Sequence, residues 1–431
     1  MQEAWVQSET TERRFAGTTL QVVFKLVERC NINCSYCYYF NMGDKTPFDR
    51  PVKATLETVE AMADWITQGC QELGFRRVLI AFHGGEPMLV KPREFEQICE
   101  TFRQRIEPQV PMGLTIQTNG TVLTDEWLAL FHEYGVHVGL SIDGDHTAND
   151  RFRLDHQGRS TFLQVENNLK RFLAWADAGN GRGVSTISVM DHRNDYAEVY
   201  HYLRSLGVRQ MSFLLPDRNR DDGFSEPDES SERYGERLAE LFQAWLEEDD
   251  KSIFVRQISE VLQHLQVRED NDVEGDPSAG GRREGFQVVV MHSDGSVSVN
   301  DSFLPALDWY SRTPRYSIHQ HSLREFLDDP IFEDIERIQA SAADECLSCE
   351  WRGICRGGDI ENRYSAKNGF DNPSIYCKGY HRYYGHIRDT LVHNGYPDEL
   401  MKAKIARSQK EFPNRHSPPS ARSRGAGPGR S

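Results

Sequence analysis

Seven of the nine cysteines in this 431-residue chain fall into two sets whose spacing suits metal chemistry. Cys30, Cys34 and Cys37 form the first, and Cys346, Cys349, Cys355 and Cys377 the second. A zinc site that only holds structure is closed by four ligands, and no His stands beside the first set. Three thiolates suit a four-iron cluster that keeps one iron open for a reacting molecule. The second set supplies four thiolates, enough to close either a zinc ribbon or a second cluster. Cys70 and Cys99 lie in segments of helical periodicity and read as small buried hydrophobes.

These ligands need a scaffold, and the first half of the chain supplies a repeated one. Short branched-residue runs over 21–27, 78–82, 113–118, 136–142, 183–189 and 209–215 predict six strands. Amphipathic segments over 55–73, 92–106, 124–134, 160–178 and 195–206 predict the helices between them. Parallel strands with helical crossovers build an open sheet or a barrel whose chemistry sits beyond the strands' C-terminal ends. The first cysteine set falls at such an end. So do Gly84-Gly85-Glu86-Pro87, Thr118-Asn119-Gly120 and Ser141-Ile142-Asp143-Gly144. Paired glycines let a backbone approach a ligand, and a carboxylate pairs with an ammonium.

Further along, 217–231 is polar and reads as a linker, 233–265 as helical, and 269–284 as a Gly-rich break. A hairpin is expected over 286–299 around His292-Ser293-Asp294-Gly295. The expected division is an arm (1–18), a core (19–216), a linker and helical bridge (217–284), a cysteine-bearing module (285–395), and a helix end with a disordered basic tail (396–431).

Composition narrows the function classes. The chain is 38% hydrophobic and 27% charged, with a formal charge of −16. Residues 401–431 hold eight Lys or Arg against one acid, which leaves −23 on the first 400. A body that acidic repels phosphate backbones, so nucleic acid is not expected as a partner. No apolar run reaches the length of a membrane span, and the start lacks a secretory pattern, which predicts a cytoplasmic protein without a membrane partner.

The spacing of Cys30, Cys34 and Cys37, with aromatic Tyr36 before the last, resembles the radical S-adenosylmethionine (SAM) superfamily. The motifs at 84–87, 118–120 and 141–144 are similar to that family's segments in order. The resemblance implies a partial (β/α)6 TIM barrel of α/β class with a [4Fe-4S] cluster on the three cysteines. SAM contacts are then expected from Tyr36, Gly84, Gly85, Glu86, Pro87, Thr118, Asn119, Ser141 and Asp143, with Glu86 on the methionine amino group. Arg153 or Arg159 would meet the methionine carboxylate. The implied chemistry is reductive SAM cleavage to a 5′-deoxyadenosyl radical that takes hydrogen from an unreactive carbon.

The second set resembles the SPASM extension of enzymes that modify ribosomally made peptides and proteins. There it implies auxiliary clusters on Cys346, Cys349, Cys355 and Cys377. Asn300 and Asp359 stand where a full extension carries further cysteines, so one auxiliary [4Fe-4S] cluster is expected. Asp301 lies near the catalytic Asp of sulfatase-maturing relatives and is a candidate general base, or merely a strand end. The stretch 22–44, ending in Cys37-Tyr38-Tyr39-Phe40-Asn41-Met42-Gly43-Asp44, looks most like maturases that form three-residue cyclophanes. The resemblance implies a ribosomal precursor peptide as partner, an aromatic-to-β-carbon crosslink, and an external flavodoxin- or ferredoxin-type electron donor. Sulfatase maturation to formylglycine, epimerisation and thioether formation are the alternatives, and a cluster-bearing scaffold without turnover stands apart from all of them. A leader peptide could add a strand to a sheet edge within 217–300.

Overall fold

A computed structural model describes residue 15 and residues 17–181, 183–265 and 286–411. Most of the expected arm, the Gly-rich break and the basic tail beyond 411 lie outside the described residues. Six parallel strands occur where the hydrophobic pattern puts them: β1 (Thr19–Val27), β2 (Arg77–Gly84), β3 (Met112–Thr118), β4 (His137–Ser141), β5 (Val184–Val189) and β6 (Gln210–Leu214). The crossovers are α1 (Leu56–Leu73), α2 (Pro92–Arg105), α3 (Asp125–Glu133), α4 (Phe162–Trp175) and α5 (Tyr196–Ser205). This is the partial barrel expected from sequence.

Strand periodicity of two sorts the side chains. Val78, Ile80 and Phe82 of β2 turn outward and are buried beneath the helices, where Phe82 packs on Phe24, Phe95 and Phe102. The alternate residues nearest the C-terminal ends, His83, Gln117, Ser141, Ile187, Val189 and Leu214, line a cavity instead.

The helix expected over 233–265 is two helices, α6 (Ser231–Glu248) and α7 (Arg256–Leu265). Between them Asp249 takes a left-handed conformation (φ 49°), and β7 (Phe254–Val255) pairs with β6. The helical periodicity runs through this break, which the acidic run Glu247–Asp250 ends locally.

On the other side, β8 (Phe286–Met291) pairs in parallel with β1, and β9 (Ser296–Ser298) returns antiparallel through the expected hairpin turn. The strand β10 (Tyr316–Ser317) completes one ten-stranded sheet among the described residues, in the order β10-β9-β8-β1-β2-β3-β4-β5-β6-β7. The C-terminal module therefore starts inside the barrel's own sheet.

Beyond α8 (Pro330–Ala340), the second cysteine set occupies short turns and the first residue of α9 (Cys377–His393). The α9 helix crosses α6 at two glycines: the Gly379 amide donates to Ser231 Oγ at 2.8 Å. A Cβ added at Gly235 would lie 2.4 Å from the Gly379 carbonyl oxygen and 2.7 Å from its Cα. The last helix, α10 (Asp398–Glu411), braces the cysteine turns through Gln409, whose amide donates to the Cys349 carbonyl at 2.9 Å.

Gly235→Ala should force these backbones apart. Overpacking costs about 1–3 kcal/mol, against a helix-propensity gain of up to about 1 kcal/mol. A net fall in Tm is expected by thermal unfolding, and an unchanged or raised Tm would contradict the close crossing.

Candidate active site at the mouth of the barrel

The loop after β1 is held from two sides. The Asn33 amide donates to the Leu154 carbonyl at 2.8 Å and the Ser35 amide to Phe152 at 3.2 Å. On the other side, the Gly85 amide donates to Val27 at 2.7 Å and the Glu86 amide to Arg29 at 2.9 Å. That contact demands glycine. A Cβ at Gly84 would fall 2.1 Å from the Val27 oxygen, in a backbone with φ +124°, and one at Gly85 would fall 2.0 Å from the Arg29 oxygen.

So fixed, Cys30, Cys34 and Cys37 share a cavity of about 210 Å³ with Gly84, Gly85, Thr118, Asn119, Ser141 and Arg153. All three thiols are free. Burial pushes them above the usual thiol range, to about 12 at Cys30, and backbone amides oppose it. The Ile32 amide faces the Cys30 sulfur, and the amides of Tyr39 and Phe40 face that of Cys37, which caps the one-turn helix Tyr38–Asn41. The Asn119 side-chain amide donates to Cys30 Sγ at 3.6 Å.

Amides aimed at sulfur stabilise a thiolate and the charge of a cluster it ligates. Among the described residues no three metal-ligating side chains close around a point as a single ion requires. A four-iron cluster bonds each thiolate to a different iron, so separated ligands fit it.

The structure separates the two arginines. Arg159 is exposed and bound to Asp155. Arg153 is buried, lines the cavity, and donates to the Tyr36 hydroxyl at 2.9 Å, which in turn donates to Asp143 at 2.7 Å. Its Nε has no partner. A buried, incompletely bonded cation facing a cavity suits a carboxylate-bearing ligand.

Glu86 and Pro87 stand behind the wall. Glu86 is fully buried and accepts hydrogen bonds from Met88 N (3.0 Å), Thr118 Oγ1 (2.8 Å) and Asn119 N (2.7 Å). Desolvation lifts its carboxyl to about 7 despite these bonds. Its visible task is to tie the glycine turn to β3, while the glycine backbone reaches the cavity.

Asp301 also lies outside the wall. Its carboxylate pairs with Lys25 and accepts from the Tyr38 hydroxyl at 3.0 Å. Burial would raise it, but the Lys25 and His83 charges and these bonds outweigh that and hold it below the usual range. Lys25 is itself fully buried, with Nζ 3.2 Å from His83 Nδ1 and 4.3 Å from the Tyr39 ring centroid. The sequence reading missed Lys25, His83 and Tyr38; a Lys inside an otherwise apolar strand was the available signal. It also took Asp217 for the start of a linker, whereas Asp217 lines the cavity with its carboxyl lifted to about 7 by burial and by the charges of Asp359 and Asp301.

In the second set Cys346, Cys349, Cys355 and Cys377 act on one another electrostatically. Amides of Trp351 and Arg352 face the Cys349 sulfur, and that of Gly357 faces Cys355. His381, one helical turn after Cys377, puts Nε2 3.2 Å from Cys349 Sγ. Asn300 caps the turn Asp301–Ala306 and takes no part in this group.

Residues 24–222 match the radical SAM superfamily. The chain is 24% identical over 419 residues to the serine-type anaerobic sulfatase-maturating enzyme of Bacteroides thetaiotaomicron, covering 91% of this chain and 97% of that protein. It is 24% identical over 371 residues to a cysteine-type anaerobic sulfatase-maturating enzyme of Clostridium perfringens, covering 84% and 94%. Among solved structures, native anSMEcpe with bound AdoMet superposes with a TM-score of 0.72 at 21% identity, over 87% of this chain and 98% of that one. Streptococcus suis SuiB bound to precursor peptide SuiA gives 0.56 at 15% identity, over 87% and 80%. The fold is the radical SAM α/β fold, and the chain is an enzyme with SAM and a [4Fe-4S] cluster as its cofactors. No described helix is long and apolar enough to cross a membrane.

Asp217 makes a pH-dependent prediction. Its carboxyl, raised from 3.8 to about 7, holds a proton more tightly folded than unfolded. It therefore withdraws stability as pH rises from about 4 to about 7. Asp217→Asn should raise Tm over the parent at about pH 8 and give no gain at about pH 4. A difference independent of pH would show that the carboxylate is solvated.

Proposed function

We propose that this enzyme is a cytoplasmic maturase that abstracts a β-hydrogen from a ribosomal precursor peptide and crosslinks that carbon to an aromatic ring, forming a three-residue cyclophane. The observation that carries the radical step is the convergence of three free thiols, the glycine turn and the buried Arg153 on one cavity at the strands' C-terminal ends. Bound there, SAM and the cluster would supply the 5′-deoxyadenosyl radical that takes the substrate's hydrogen.

The chain's own residues do the rest. Cys30, Cys34 and Cys37 would hold the cluster. The Gly84-Gly85 backbone and Ser141 line the SAM site, Arg153 meets the carboxylate, and Glu86, Thr118 and Asn119 fix the wall. Tyr36 joins Arg153 to Asp143, so that the cation keeps its orientation at the cavity. Crosslinking also releases one proton and one electron. The electron would pass to an iron–sulfur acceptor, for which the second cysteine set is suited, and a flavodoxin- or ferredoxin-type protein would supply the reducing electron. For the proton we assign Asp217, which lines the cavity with a carboxyl near neutrality. Asp301, saturated by Lys25 and Tyr38, positions the Tyr38 hydroxyl on the wall.

The residues 37–44 and the four-cysteine auxiliary set support the cyclophane reading. The similarity to sulfatase-maturating enzymes favours a second one, oxidation of a Ser or Cys side chain to formylglycine. Both share the abstraction and the acceptor.

Co-expression with small open reading frames beside the gene, followed by mass spectrometry of the peptides, separates them. Loss of two hydrogens per event, with fragmentation blocked between an aromatic residue and one two positions along, is expected. Unchanged mass in ordinary water together with label uptake from heavy water would indicate epimerisation. Modification only of a sulfatase-type Ser or Cys peptide would establish the second reading. With a processed peptide in hand, Asp217→Asn should keep 5′-deoxyadenosine formation while losing most crosslinked product; equal loss of both would remove Asp217 from the proton step.

A further inference from the structure

Arg363 is a charge without an acid. Its side chain is buried, at 1% exposure, in the turn Glu361–Arg363. Nε donates to the carbonyls of Phe370 (3.1 Å) and Asn372 (3.3 Å), and Nη1 to that of Ile338 (3.2 Å). All three acceptors are neutral, and Nη2 takes no part in these bonds. Asp371, the carboxylate whose charge acts on it, is exposed and forms no ion pair with it. By contrast, buried Arg237 is paired with Glu240 at 2.6 Å, and Arg218 with the buried Glu229 at 2.7 Å. A guanidinium stays charged in any protein environment, and burying one without a counter-charge costs several kcal/mol.

What lies beside it is the second cysteine set. The Cys346 and Cys355 sulfurs are the other charges that act on Arg363, and Arg363 in turn favours the thiolate of Cys346. The contact runs through Gly357: a Cβ there would stand 3.4 Å from Arg363 Nη1 and 3.6 Å from its Cζ, while the Gly357 amide faces the Cys355 sulfur. A buried cation thus stands within electrostatic reach of Cys346 and Cys355.

We infer that Arg363 is the built-in counter-ion of an anionic iron–sulfur cluster held by Cys346, Cys349, Cys355 and Cys377, setting that cluster's reduction potential and its retention. The inference rests on reading the second set as a cluster site. Four thiolates make a [4Fe-4S] centre net negative, and one-electron reduction adds a further negative charge. A buried cation at its flank stabilises the reduced form more than the oxidised one and raises the potential. An electron leaving the substrate then has an acceptor tuned upward by charge. A structural zinc ribbon on the same four thiolates is also net negative but changes no charge by electron transfer, so there the guanidinium would balance charge without setting a potential.

The test uses the full chain carrying Cys30→Ala, Cys34→Ala and Cys37→Ala, so that only the second set can load, reconstituted with iron and sulfide. Arg363→Gln removes the charge but keeps an amide donor for the carbonyls; Arg363→Lys keeps the charge. In an EPR-monitored redox titration the Gln variant should shift to a more negative midpoint at unchanged iron content, and the Lys variant should stay at the parent's. The gain in Tm on cluster loading should shrink in the Gln variant, whereas the metal-free Tm should hold or rise. A Gln variant with the parent's midpoint and loading gain would make Arg363 a structural donor only. If the Gln variant fails to fold, the Lys variant decides, because a displaced midpoint there overturns the proposal. If the triple-alanine parent binds no iron, the cluster reading itself falls, and this is seen before any change at Arg363.

Discussion

The site depends on one backbone-to-backbone contact, the glycine turn after β2 pressed on the chain leaving β1. Two amide hydrogen bonds, Gly85 to Val27 and Glu86 to Arg29, run where any side chain would collide with a carbonyl. This contact fixes Cys30 against the Gly84-Gly85 backbone and lets Glu86 reach beneath to Thr118 and Asn119. Asn119 then reaches back to the Cys30 sulfur. The metal-ligand loop, the glycine turn and the end of β3 thus form one unit, none of which holds its geometry alone.

Around that unit the barrel tolerates an unusual amount of buried charge because each charge has a designated neighbour. Lys25 and Asp301 neutralise each other, and Asp301 comes from beyond β9, so the pair fastens the C-terminal module to the barrel. Glu28 also reaches the module, accepting from the Ser293 amide at 3.3 Å, while the Tyr39 hydroxyl donates to its other oxygen. Breaking one partner of such a pair strands the other in low dielectric. Both bridges lie next to the first cysteine loop, so module docking and site geometry are energetically coupled. Glu86, Arg153 and Arg363 are buried without an ion pair, and the two arginines each lie beside a cysteine group.

The six barrel strands and the four motifs at their ends were legible because strand alternation and strand-end placement are local properties of the sequence. Arg153 and Arg159 were not separable, since which one turns inward is decided by how their loop pairs with 32–35. Asp217 was hidden for a similar reason. A polar acidic stretch reads as solvated, yet the chain after β6 is drawn over the cavity, with the Pro216 carbonyl accepting from Tyr376 at 2.9 Å. The break at Asp249 escaped because the apolar period continues through it. Likewise Glu86 was legible as a residue but not in its orientation: carboxylate chemistry suggests an ammonium partner, while the fold spends its oxygens on Met88, Thr118 and Asn119.

The central claim is that the cavity walled by Cys30, Cys34, Cys37 and Arg153 cleaves SAM by electron transfer. The most direct measurement is 5′-deoxyadenosine formed by the anaerobically reconstituted enzyme with SAM and dithionite, compared with the Cys30→Ala/Cys34→Ala/Cys37→Ala chain, which retains its second cysteine set. Turnover is expected in the first and none in the second, with iron falling by about four per chain. Equal 5′-deoxyadenosine from both chains, or none from the fully loaded enzyme, would contradict it.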